Sequence, residues 1–152
     1  MSFKNLEILS STNNKLVNSK PASDYVDKKV YSNLGTEVGK VKDVVLKNHQ
    51  VIGYIVKGSK KMFIDKEYIK SESGNVLMLS IYPVISLIGK QVFDSEGRRI
   101  GKVVRVERKT TTNNFTNLIV KNKIYSKSIS VPKTDVSAYK ENIILNKSYE
   151  KK

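Results

Sequence analysis

An internal repeat constrains this chain more than any other feature. The fifteen residues from Val30 to Val44 align without a gap on those from Val92 to Val106; six are identical, including Gly35/Gly97, Gly39/Gly101, Lys40/Lys102 and Val41/Val103. The likeness continues in order with small changes of offset. Tyr54–Lys57 matches Leu118–Lys121, Phe63–Lys66 matches Ser130–Lys133, and Asn75–Met78 matches Asn142–Leu145. A chain built twice from one unit must satisfy its core within each unit and then join the two.

Each unit reads as short strands punctuated by turns. The first unit predicts strands at 30–32, 38–46, 51–57, 62–65 and 76–80, with turns at Asn33–Gly35 and Asn48–Gln50. The second predicts 91–94, 99–107, 115–120, 128–131 and 143–145. Gly35 and Gly97 fit the positive φ of hairpin turns, while Gly39 and Gly101 sit inside strand pattern, where a missing side chain suits a bulge or sharp bend. Helical periodicity never exceeds a turn or two; 66–70 and 133–137 are the best short-turn candidates. The resulting organisation is a polar, flexible extension over 1–28, a first repeat over 29–80, an apolar packed connector over 81–88, a second repeat over 89–147 and a charged tail over 148–152. A unit of this size lies near the lower limit for independent folding, so the two are expected to pack together or pair with a second copy as a homodimer.

Composition removes several functional classes. The 152 residues contain no Cys and a single His49, which excludes thiolate chemistry, disulfides and an imidazole-based metal site. Asp65, Glu67 and Glu72 form only a loose acidic group, and Glu37 with Asp43 read as solvated strand residues; no metal, cofactor or catalytic constellation is expected. The longest apolar stretch, 76–88, is interrupted by Ser80, Pro83 and Ser86 and falls short of the roughly 20 residues of a spanning helix. With no secretory leader pattern at Met1–Ser10, the expected location is the cytoplasm. What remains is charge: 28 basic against 14 acidic residues, a formal +14. Such a field attracts nucleic acid, anionic lipid or an acidic protein.

The pattern Gly35-x-x-Val38-Gly39-Lys40-Val41, followed by Phe63-Ile64 and a strand at 76–79, resembles the PRC-barrel family. The second copy, Gly97-x-x-Ile100-Gly101-Lys102-Val103 with Pro132 and Lys133, resembles it more closely. The two copies together cover about residues 29–147. This resemblance implies an all-β fold: two small, strongly bent antiparallel β-barrels in tandem, packed together, with flexible N- and C-terminal tails. Gly35, Gly39, Lys40, Val41, Gly97, Gly101, Val103 and Pro132 would carry the structural motif. It also implies an interaction module rather than an enzyme. Relatives include the ribosome-facing barrel of the maturation factor RimM and archaeal division proteins, and the tandem arrangement is similar to stand-alone archaeal members.

Charge is uneven. Residues 29–80 carry nine Lys against five acids, whereas 87–147 carry thirteen basic residues against five acids. All four arginines, Arg98, Arg99, Arg105 and Arg108, fall within eleven residues of one predicted hairpin, with Lys102 and Lys109 among them. The guanidinium fork suits phosphate. Lys121, Lys123 and Lys127, with Tyr125 interleaved, border the next connection, and the 110–114 loop adds hydroxyls and amides. The expectation is a non-enzymatic, ribosome-associated protein that contacts rRNA through this second-unit hairpin and ribosomal proteins through the first unit. The competing expectation is an adaptor of archaeal cell division or of a membrane-associated assembly.

Overall fold

The computed structural model describes residue 3, residues 5–123 and residues 126–149. Its first half contains β1 (Lys29–Tyr31), β2 (Glu37–Lys47), β3 (Gln50–Lys57), β4 (Lys61–Asp65), β5 (Ile69–Ser73) and β6 (Val76–Leu79). The second half repeats them as β7 (Gln91–Phe93), β8 (Arg99–Glu107), β9 (Asn117–Lys121), β10 (Ile129–Pro132), β11 (Val136–Tyr139) and β12 (Ile143–Leu145). The two six-stranded sheets have the same order, β4-β3-β2-β1-β6-β5 and β10-β9-β8-β7-β12-β11. All-β tandem architecture is therefore as expected. Two details differ: β1/β6 and β7/β12 pair in parallel, and among the described residues no ladder closes either sheet into a barrel.

A covalent corner replaces that ladder. The 3-10 turn Lys66–Tyr68 leads from β4, one edge of the sheet, directly to β5, the other edge. Lys133–Asp135 does the same between β10 and β11. Three residues can connect opposite edges only if the sheet curls until those edges approach. The curl is set on β2 and β8. Register slips between Val30 and Tyr31 opposite Gly39, and between Val92 and Phe93 opposite Gly101, which places a bulge at each glycine. A Cβ built at Gly39 would collide with the Lys57 carbonyl, and one at Gly101 with the Lys121 carbonyl. Gly35 and Gly97 instead face open space and are needed for their φ of 79° and 81°.

The sequence reading missed β5 and β11, whose outward residues are Ser, Glu and Lys in one case and Ser and Ala in the other. Each half encloses its own core. Val30, Val41, Tyr54, Val56, Ile64, Leu77 and Leu79 fill the first. Val92, Val103, Leu118, Val120, Val131, Ile143 and Leu145 occupy the second, together with Tyr82, Val84, Leu87 and Phe115. Much of the connector thus belongs to the second core rather than to a join.

The repeat also begins earlier than Lys29. Pro21 precedes the 3-10 turn Ala22–Tyr25, and Pro83 precedes Val84–Leu87. After each turn the chain bonds alike: the Asp27 amide donates to the Val41 carbonyl (2.8 Å), as the Gly89 amide does to that of Val103 (2.8 Å). The segment expected to be a flexible extension is consequently docked from Lys20 onward. The Glu72 carboxylate accepts from Lys20, from Lys28 Nζ (2.6 Å) and from Tyr25 Oη (3.0 Å), and the Tyr25 ring packs on Tyr54 at 5.2 Å. At the other end, Tyr149 is pinned between two buried carboxylates, its amide donating to Asp94 (3.2 Å) and its hydroxyl to Asp135 (2.6 Å). Ser148 and Tyr149 of the expected tail are thus held; residues 150–152 lie outside the described residues.

Desolvation disfavours ionised Glu72, but hydrogen bonds from Lys20, Lys28 and Tyr25 outweigh it and bring its pKa from 4.5 to about 2. The folded state thus binds this proton less tightly than the unfolded state, so the stabilisation is complete above about pH 4.5 and lost as pH falls toward 2. Thermal melts should show Glu72→Gln lowering Tm at neutral pH, with the gap to wild type closing across that acid range. Gly101→Ala should cost about 1–3 kcal/mol through backbone collision. Gly97→Ala, which meets no neighbour, should cost about 1–2 kcal/mol from its left-handed φ alone.

Candidate nucleic-acid interface

Strand alternation and two bulges decide which basic side chains share a face. On β8, Lys102 lies directly opposite Lys121 on β9 and Gln91 on β7, Arg105 lies opposite Ile119, and Arg99 opposite Phe93. Because the bulges restore alternation, Arg99, Lys102, Arg105 and Lys121 all project from the outer face of the second sheet. Arg99 is oriented there by hydrogen bonds to Gln91 Oε1 (2.5 Å) and Asn122 Oδ1 (2.8 Å). Arg105 is well exposed and touches Glu107 at 3.2 Å.

The other predicted contacts separate from this group. Arg98 stands in the β7–β8 turn, bonded to buried Asp94 through Nε (3.1 Å), to Glu96 (3.1 Å) and to Ser148. Asp94 also accepts from the amides of Glu96 (3.0 Å) and Arg98 (2.9 Å). Burial would raise its pKa, yet these amides, that of Tyr149 and the guanidinium hold it below the usual carboxylate range. Arg98 is therefore a structural partner of the turn. Arg108 leaves the strand and donates to the Thr112 carbonyl (3.3 Å), with Lys109 exposed beside it. Lys123 and Lys127 lie in the β9–β10 connection; Tyr125 lies outside the described residues.

The 110–114 loop is also occupied internally. Asn113 accepts from the Val84 amide (2.8 Å) and donates to the Tyr82 carbonyl (3.0 Å), tying the loop to the start of the second repeat. Thr110 and Thr112 bond each other at 2.6 Å. Among the acidic residues singled out from sequence, Asp65 caps its turn through the Glu67 amide (2.9 Å) and Glu72 serves the N-terminal dock. No group of three or more His, Asp or Glu among the described residues is placed to hold a metal ion, and no helix is long and apolar enough to cross a membrane.

The PRC-barrel domain model matches this sequence twice, over residues 18–85 and 80–152. The chain belongs to the PRC-barrel family. No curated protein matches it significantly. The two PRC-barrel matches begin three residues before Pro21 and Pro83, so each takes in its proline and the 3-10 turn that follows. Within the motif, Val41 and Val103 are buried and Lys40 and Lys102 point outward, while Pro132 initiates the β10–β11 corner.

The two PRC-barrels diverge at equivalent outward positions. Asp43, opposite Ile55, is replaced by Arg105, opposite Ile119. One arrangement in the first barrel was missed from sequence: Lys29, Lys40, Lys57 and Lys61 are direct neighbours across β1, β2, β3 and β4. The aligned Lys40/Lys102 and Lys57/Lys121 pairs carried part of that signal, but only register joins the four.

Arg98→Gln should lower stability by about 1–3 kcal/mol, because buried Asp94 loses its guanidinium partner. Arg105→Gln should stay within about 0.5 kcal/mol, as expected for an exposed pair. Chemical denaturation of the two variants separates the structural arginine from the one available for binding.

Proposed function

We propose that this PRC-barrel protein is a non-enzymatic RNA-binding protein of the cytoplasm that attaches to the ribosome through the outer face of its second barrel. The observation that supports this most directly is the convergence of Arg99, Lys102, Arg105 and Lys121 on one sheet face in a chain of net charge +14. Two planar guanidinium forks beside two ammonium groups suit a phosphate backbone, and preorientation of Arg99 by Gln91 and Asn122 reduces the ordering cost of contact. The first barrel would then meet ribosomal protein through its open sheet edge at β4. An adaptor role is the second reading, favoured by the open sheet edges at β4 and β10, where a partner strand can add.

Sedimentation of native lysate through sucrose gradients distinguishes the two. Four phosphate contacts correspond to roughly a hundredfold weaker binding between about 50 and 200 mM salt. Comigration with a ribosomal subunit at low salt, lost at high salt and lost in an Arg99→Glu, Lys102→Glu, Arg105→Glu variant, is the expected result. Absence from ribosomal fractions at both salts would overturn the ribosomal reading, and a protein complex surviving high salt would establish the adaptor.

A further inference from the structure

Four lysines of the first barrel form one row across four adjacent strands. Lys29, Lys40, Lys57 and Lys61 are each opposite the next on adjacent strands, and all four are exposed. At about 4.8 Å per strand the row is about 14 Å long. Like charges directly opposite one another in a sheet are destabilising. Even so, none of the four makes an ion pair among the described residues. The contrast with Lys20 and Lys28, which share Glu72, shows that this fold does neutralise lysines elsewhere. A carboxylate stands in each adjoining outward row: Asp43, which accepts the Val44 amide (2.8 Å), on one side and exposed Glu37, opposite Tyr31, on the other.

The same adjoining row carries an aromatic. Phe63 lies opposite Ile55, two residues from Lys61, and is 47% exposed. Its ring lies over Gly53, two ring carbons 2.7 Å from where a Cβ would stand; the closest atom to that point is the Ile64 carbonyl oxygen (2.3 Å), so backbone approach keeps this position glycine and leaves room for the ring. The second barrel has Ser130 and Asn117 at these places, and Gln91 in place of Lys29. Lys40 and Lys57 also line an open cleft of about 540 Å³ together with Lys90 and Glu37.

We propose that the outer face of the first barrel is a binding track for single-stranded nucleic acid, with the lysine row following the phosphates and Phe63 stacking on an unpaired base. A line of cations with one accessible ring beside it is the combination that sequence-tolerant single-strand binders use, and a base still paired in a duplex cannot present its face to that ring. The site is separate from the Arg99/Lys102/Arg105 face and does not depend on it.

Fluorescence anisotropy of the full chain with a short labelled oligouridylate, and with a duplex of equal length, tests the track. Replacing Lys40, Lys57 and Lys61 by Gln should weaken single-strand binding at least about tenfold at low salt and reduce the slope of log K against log salt by about 2. Tm should be unchanged or higher, since repulsion is relieved. A control with Lys47, Lys70 and Lys140 replaced by Gln removes the same charge elsewhere and should change affinity by less than about threefold. Phe63→Leu should weaken single-strand but not duplex binding by about tenfold with the salt slope intact, and Phe63→Tyr should retain it. The inference is overturned if the row variant behaves like the control, or if Phe63→Leu binds the single strand as wild type does. Loss confined to the Arg99/Lys102/Arg105 variant would also overturn it while leaving ribosome attachment standing.

Discussion

Each barrel depends on a backbone crossing with no room for a side chain. At Gly39 and again at Gly101, the second strand of the repeat passes so close to the end of the third that a methyl group would meet a carbonyl oxygen. The bulge at each glycine turns the strand, the turn lets a six-stranded sheet curl, and the curl brings its edges near enough for a three-residue corner to connect them. Core formation follows from that geometry. Inward residues of a flat sheet this size would face water, whereas here Val41, Val56 and Leu79, and likewise Val103, Val120 and Leu145, are almost completely buried.

A scaffold defined by backbone contact leaves its outward positions free to diverge. The two barrels keep the same inward pattern while exchanging Asp43 for Arg105, Phe63 for Ser130 and Lys29 for Gln91 on their outer faces. Their ends diverge as well. In the first barrel a half-buried Tyr25 is held by Glu72 and two lysines, where the second buries Leu87 completely. The turn after the first strand is organised by the Ser32 hydroxyl in one copy and by the Asp94 carboxylate in the other, and the carboxylate recruits Arg98. Duplication therefore supplied two surfaces of different chemistry on one architecture.

Much of this was legible in the sequence. The glycine pairs, the long hairpins and both short corners were placed correctly because each is a local signal: a φ requirement, a run of alternating apolar residues, a polar break between apolar runs. Strands β5 and β11 escaped because they bury too little to alternate. The true start of the repeat escaped because Pro21 and Pro83 are followed by a polar turn in one copy and an apolar one in the other, which hid their equivalence. The arginine cluster was legible as composition and misleading as geometry. Arg98 faces a buried carboxylate, Arg108 bonds its own loop, and only Arg99 and Arg105 share a face.

That last contrast extends beyond the arginines. Four arginines crowded into eleven residues are dispersed by a turn, two bulges and a loop, whereas four lysines spread between Lys29 and Lys61 are collected into one line by strand register. In a β-sheet, neighbours along the chain point to opposite faces, and neighbours in space are fixed by pairing partners tens of residues away. Local charge density is thus a poor guide to a charged surface in this fold class. Because the row sets like charges side by side, its lysines repel one another in the free protein, and that repulsion is relieved when a polyanion lies along them. The same register that makes the row mildly destabilising makes its attraction for phosphate additive along a line.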